Sequence, residues 1–251
     1  MKHPAVLLSC AAMSLVSGAS AIAQATPKAA AIEATFANHS THFIDADHFD
    51  PRLVLPPPPA QGSEQTRREL KELHEIQTTR TSEALARALA DDRDESIFIF
   101  ADVLGPKFNA AALPATAEFG KMIRNDAEII AGRSKAWFAR PRPYAVDPSI
   151  AGCPYRASKP VLTSYPSGHA TNGFSYGFVL AALMPEHSTE ILRRARDYAD
   201  QRLVCGHHYR SDVDASAILA SEFARDASSN PEFVGRLNAV RAELRSAGFL
   251  K

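Results

Sequence analysis

Residues 166–185 read PSGHATNGFSYGFVLAALMP, and this stretch anchors the reading of the fold. Pro166-Ser167-Gly168-His169 stands where a helix begins, and a run of small and apolar residues then continues to Met184 and stops at Pro185. Helical spacing spreads outward from it on both sides. Upstream, residues 115–138 carry Phe119, Met122, Ile123, Ile129 and Ile130 as one stripe. The apolar segment from Glu95 to Leu104 ends at the stop signal Gly105-Pro106. Ser63 caps a segment in which Leu70, Leu73 and Ile76 recur, and Leu85 and Leu89 extend it. Downstream, residues 188–202, 212–225 and 231–246 complete the set. Strand-like alternation is nearly absent and no internal repeat is visible, so the pattern predicts an all-α single-domain helical bundle.

The 28 basic and 28 acidic side chains balance, which leaves no basic field for nucleic acid, so any bound anion must be held by a local cluster. Residues 1–23 read as a signal peptide: a positive start at Lys2, an apolar run from Ala5 to Val16, then Ala21-Ile22-Ala23, with a second cleavage site at Ala25. That leader implies a periplasmic or secreted protein, and no later segment is apolar enough to span a membrane. Residues 24–62 form an N-terminal arm and a proline-rich segment, Leu55-Pro56-Pro57-Pro58-Pro59, which reads either as a stiff linker or as a wall near a pocket mouth. Residues 63–251 read as the folded domain that carries the motifs below. Cys10 leaves with the leader, so Cys153 and Cys205 remain as a candidate disulfide in an oxidising compartment, or as two separate buried thiols.

Two further blocks carry chemistry. In Lys135-Ala136-Trp137-Phe138-Ala139-Arg140-Pro141-Arg142-Pro143, the first and last cations are seven residues apart, although the prolines make the end extended. In Arg202-Leu203-Val204-Cys205-Gly206-His207-His208-Tyr209-Arg210-Ser211-Asp212, a helix opened by His208 would place Asp212 one turn along on the same face. A carboxylate holding one ring nitrogen leaves the other with a lone pair, which makes His208 a candidate nucleophile. At Ser167-Gly168-His169 the helix N-terminus suits a phosphate, with a hydroxyl, an open backbone amide and an imidazole at the rim.

In order, the three blocks resemble the signature K-x6-R-P … P-S-G-H … S-R-x5-H-x3-D of the type 2 phosphatidic acid phosphatase (PAP2) superfamily, and most closely its bacterial class A nonspecific acid phosphatases. The Leu-Pro-Pro-Pro-Pro stretch and the surroundings of His208 and Ser211-Asp212-Val213-Asp214 share the likeness. Gln201 departs from it, standing where the family usually has serine. The resemblance implies a PAP2/haloperoxidase-type bundle that hydrolyses phosphate monoesters such as nucleotides, sugar phosphates and aryl phosphates. It assigns Lys135, Arg142, Ser167, Gly168 and Arg202 to the phosphoryl oxygens, His208 to attack on phosphorus, Asp212 to orienting it and His169 to protonating the departing oxygen. It implies no cofactor and no metal, and inhibition by vanadate; a homo-oligomer stays open. With His208 neutral to attack and His169 protonated to donate, two histidines of opposite duty predict a bell-shaped optimum on the acidic side of neutrality. Three positioned cations supply the charge stabilisation that phosphoryl transfer needs.

Alternatives use the same site: a vanadium-dependent haloperoxidase, a phosphotransferase, a lipid phosphate phosphatase, or an idle phosphate-binding protein. The N-terminal group His39, His42, Asp45, Asp47 and His48 has suitable metal ligands but no recognised spacing. His207 is a decoy for the nucleophile, because the Arg-x5-His register selects His208.

Overall fold

The computed structural model describes residues 40–153 and 161–251, and every regular element among them is helical. The leader expected over residues 1–23, and His39, lie outside the described residues. Seven helices of three turns or more build the bundle: α1 Glu64–Thr79, α2 Ser82–Arg93, α3 Pro114–Phe138, α4 Gly168–Leu183, α5 Ser188–Val204, α6 Arg210–Ala227 and α7 Pro231–Ser246. None is long and apolar enough to cross a membrane.

Helix α4 is the hub. Twelve of its sixteen residues are buried, so it is enclosed around its whole circumference rather than along one stripe. It packs against α3, α5 and α6. Glycine makes the α5 contact close: a Cβ on Gly173 would lie 2.5 Å from Tyr198 Cδ1, and one on Gly177 would lie 2.7 Å from Ala195 Cβ. Helices α4, α5 and α6 carry His169, Arg202 and Asp212, so this packing brings the chemical blocks together.

The helix starts follow local chemistry. Ser63 accepts the Thr66 N–H at 3.2 Å, as the sequence predicts, and Asn230 accepts at α7. Pro114 and Pro231 occupy first turns, where the missing N–H costs nothing. Two expectations are corrected. The segment from Ser63 to Leu89 is not continuous, because Arg80 is extended and Thr81 caps a new helix by accepting from Ala84 N. Residues 95–104 hold only a 3-10 turn, Ile97–Phe100, and one α turn, Ala101–Leu104, closed by Gly105 at φ 89°.

The lead-in is stitched to the body. Asp126 on α3 accepts the N–H groups of His42 and Phe43 at 2.8 and 2.7 Å, and the Phe43 ring packs edge-on against Phe119 and Phe233. Tyr165 Oη donates to Pro56 O at 2.5 Å, which seats the proline-rich segment against the residues preceding α4. That segment is therefore packed against the body and is not a free linker.

Candidate active site

Lys135 lies in the last turn of α3, and Ala139 ends that helix in the left-handed region at φ 45°. The chain then runs extended beside residues 161–164, with Arg142 N donating to Val161 O at 2.8 Å and Ser164 N to Arg140 O at 3.1 Å. Lys135 and Arg142 therefore do not share a helix face. Lys135 Nζ donates to Pro166 O and would lie 3.9 Å from a Cβ on Gly168, which places it over the start of α4. There Ser167 caps the helix by accepting from Ala170 N, and the first N–H groups of the helix have no intrahelical acceptor.

His208 is buried beneath this cradle. Its Nδ1 lies 2.7 Å from Ser164 O and 3.4 Å from Asp212 Oδ2, while its Nε2 lies 3.0 Å from Arg142 NH1. A carbonyl only accepts and a guanidinium only donates, so the proton belongs on Nδ1 and the lone pair on Nε2. Burial, then Arg142, Lys135, His207 and Arg202, push the imidazole well below its ordinary range. His208 is therefore neutral, with its lone pair among cations. Arg142 is fixed by Thr163 Oγ1 at 3.2 Å and by His207 O at 3.0 Å.

Asp212 sits at the centre of a network that the sequence does not reveal. Its Oδ2 accepts from Ser164 Oγ at 2.6 Å and from Tyr209 N at 2.9 Å, and its Oδ1 accepts from Arg140 NH1 at 2.6 Å. Arg140 also bonds Glu69 Oε2 at 3.0 Å and Ser211 Oγ at 2.7 Å, and stacks 3.9 Å over the Tyr209 ring. Burial pushes the Asp212 carboxyl up, and Arg140 pulls it the other way.

Arg202, in the last turn of α5, is buried, with Nη1 on Asp92 Oδ1 and Nη2 on Ala88 O at 3.3 Å. His169 Nε2 lies 3.3 Å from Asp92 O, 3.8 Å from Asp92 Oδ1 and 3.4 Å from Glu95 Oε1. His207 is buried against Tyr144, with burial and then Arg202 lowering it to about 4. Arg140, Ser164, Glu69, Asp92 and Glu95 are the site's neighbours that sequence reasoning missed. Only Arg140 carried a signal, since it lies inside the Arg-Pro-Arg-Pro block.

Cys153 and Cys205 form a disulfide, with Cα atoms 4.8 Å apart, which closes the alternative of two free thiols. It ties the loop after Arg142 to the end of α5. Asp92, Cys205 and His207 cluster as metal ligands would, but the bonded sulfur has no thiolate to offer. Near the N-terminus, His48 pairs with Asp45 at 2.7 Å and Asp47 pairs with Arg133 at 2.7 Å, separate contacts that do not converge.

A family model described as the PAP2 superfamily matches residues 121–225. An acid phosphatase of Zymomonas mobilis is 33% identical over 211 residues, covering 80% of this chain and 77% of that one. Non-specific acid phosphatases of Providencia stuartii and Salmonella typhimurium are each 32% identical over 77% of this chain, covering 80% and 79% of theirs. A solved bacterial vanadium-dependent iodoperoxidase is similar at TM-score 0.48 and 17% identity, over 78% of this chain and 64% of that one.

Proposed function

The chain belongs to the PAP2 superfamily, among its bacterial acid phosphatases, and from that membership we propose that it hydrolyses phosphate monoesters through a phosphohistidine on His208. What supports the reading is the state of the His208 ring, with Nδ1 held by Ser164 O and the Nε2 lone pair 3.0 Å from Arg142. An arriving phosphoryl group gives Arg142 oxygens to bind instead, which frees that lone pair for phosphorus. Lys135, Arg142 and Arg202, the Ser167 hydroxyl and the Gly168 amide hold the equatorial oxygens.

The Nε2–P bond forms as the P–O ester bond breaks, and His169 gives its proton to the departing oxygen. Water then attacks phosphorus, passes a proton to His169 and releases Nε2, which returns the site to its starting state. Because the cradle holds only the phosphoryl group, broad specificity follows. The disulfide suits an oxidising compartment, in keeping with export to the periplasm or medium.

The purified chain is expected to release phosphate from p-nitrophenyl phosphate in a chelator-containing buffer, and vanadate is expected to inhibit it. No release, or vanadate-dependent halogenation with peroxide, would overturn the reading. Replacing His169 by alanine is expected to slow alkyl phosphates far more than p-nitrophenyl phosphate, whose phenolate departs with little help.

A further inference from the structure

We propose that Glu95 selects the leaving group: its carboxylate faces the proton-donating histidine and favours esters of neutral or cationic alcohols over esters whose leaving group carries its own negative charge. The inference rests on the reading of His169 as the acid.

Two carboxylates approach His169 Nε2, Glu95 Oε1 at 3.4 Å and Asp92 Oδ1 at 3.8 Å. They are not equivalent. The Asp92 side chain is 2% exposed and engaged by Arg202, whereas Glu95 is 22% exposed. Glu95 is thus the one of the pair that opens toward solvent, the side from which an alcohol departs. It is also held in place: Asn172 Nδ2 donates to Oε2 at 3.3 Å, and Tyr176 Oη donates to the Glu95 carbonyl at 2.9 Å.

The other groups facing this pair come from two helices and from the turn between α5 and α6. Tyr198 of α5 stacks on His169 with ring centroids 6.4 Å apart, and Arg202 and His207 lie behind Asp92. From α3, Lys135 faces the start of α4, and Arg124 reaches Glu95 Oε2 at 3.3 Å. Arg124 is 42% exposed and shared with Glu128 at 2.6 Å, so it offsets only part of the Glu95 charge. A bound phosphoryl dianion neutralises much of the cationic cradle, and Glu95 is then the more exposed of the two carboxylates beside the departing oxygen's proton donor. The same carboxylate favours the charged imidazolium and so keeps the proton available to higher pH.

The test compares ethyl phosphate with phosphoglycolate, whose leaving group bears a carboxylate. In Glu95→Gln the alkaline limb of kcat/KM for ethyl phosphate is expected to move about half a unit to one unit lower. The phosphoglycolate-to-ethyl-phosphate ratio of kcat/KM is expected to rise roughly three- to tenfold. Arg124→Gln, on an exposed position, is expected to move both readings the opposite way, which keeps the test open if the first variant folds poorly. A limb or a ratio that stays put in the folded variants overturns the inference. His169→Ala, run in parallel, separates the two claims: equal losses on ethyl and p-nitrophenyl phosphates remove the acid itself, whereas selective losses beside an inert Glu95→Gln sink only the role of Glu95.

Discussion

Nδ1 of His208 is held more closely by the Ser164 carbonyl, at 2.7 Å, than by the Asp212 carboxylate, at 3.4 Å. Asp212 instead grips the Ser164 hydroxyl at 2.6 Å and the Tyr209 amide at 2.9 Å, and so positions the backbone on both sides of the nucleophile. In a serine-protease triad the carboxylate fixes the tautomer, and its amide replacement costs about 10⁴ in kcat. Here the carbonyl fixes the tautomer. Asp212→Asn is therefore expected to lower kcat by roughly ten- to a hundredfold, measured on p-nitrophenyl phosphate. A loss near 10⁴ would mean that the carboxylate acts on the ring directly.

Arg140 is the structural counterpart of that carboxylate, buried between Glu69 and Asp212. Removing one partner from a buried ion network leaves uncompensated charge and typically costs about 3–5 kcal/mol. Arg140→Met should reach that range in denaturant unfolding, and combining it with Glu69→Gln should recover part of the loss. A single-variant loss below about 1 kcal/mol would show that the network is solvated after all.

Stability should depend on pH through His207. Its folded value of about 4 lies below the ordinary 6.5, so between these values the unfolded chain takes up a proton that the folded chain does not. Stability is then full above the ordinary value and falls as the pH drops toward 4, by about 1 kcal/mol per pH unit from this group. His208 acts in the same direction, and the raised Asp212 acts in the opposite one. The clean observable is the difference between wild type and His207→Gln in unfolding across this window, expected at about one proton. Parallel curves would contradict it.

The Cys153–Cys205 bond closes a loop with a sequence separation of 52 residues. On the chain-entropy account that closure contributes about 4 kcal/mol, and its reduction should lower Tm by roughly 10 °C. Because it fastens the loop after Arg142 to the end of α5, KM should also rise. A thermal scan with and without reductant reads the first effect, and an unchanged Tm would leave the bridge without a stabilising role.

Much of this was legible in the sequence because its causes are local. The Ser63 cap, the proline-started helices and the periodic stripe of α3 depend on neighbours within one or two turns. The break at Arg80-Thr81 was hidden because Leu85 and Leu89 continue the apolar spacing across it. The site's cations and histidines were legible as a family pattern, but their supports were not. Arg140 meets Glu69 from 71 positions away, and His169 meets Asp92 from 77, and no spacing rule encodes such encounters. The Ser164 carbonyl is a backbone group, which no residue type announces.

The central claim is that phosphorus is bonded for a time to Nε2 of His208. Rapid quenching of the enzyme during turnover of a ³²P-labelled ester tests it most directly. The account expects a phosphoryl adduct that survives base, is lost in acid and is absent from His208→Ala; label that never becomes protein-bound, or that persists in the His208 variant, would contradict it.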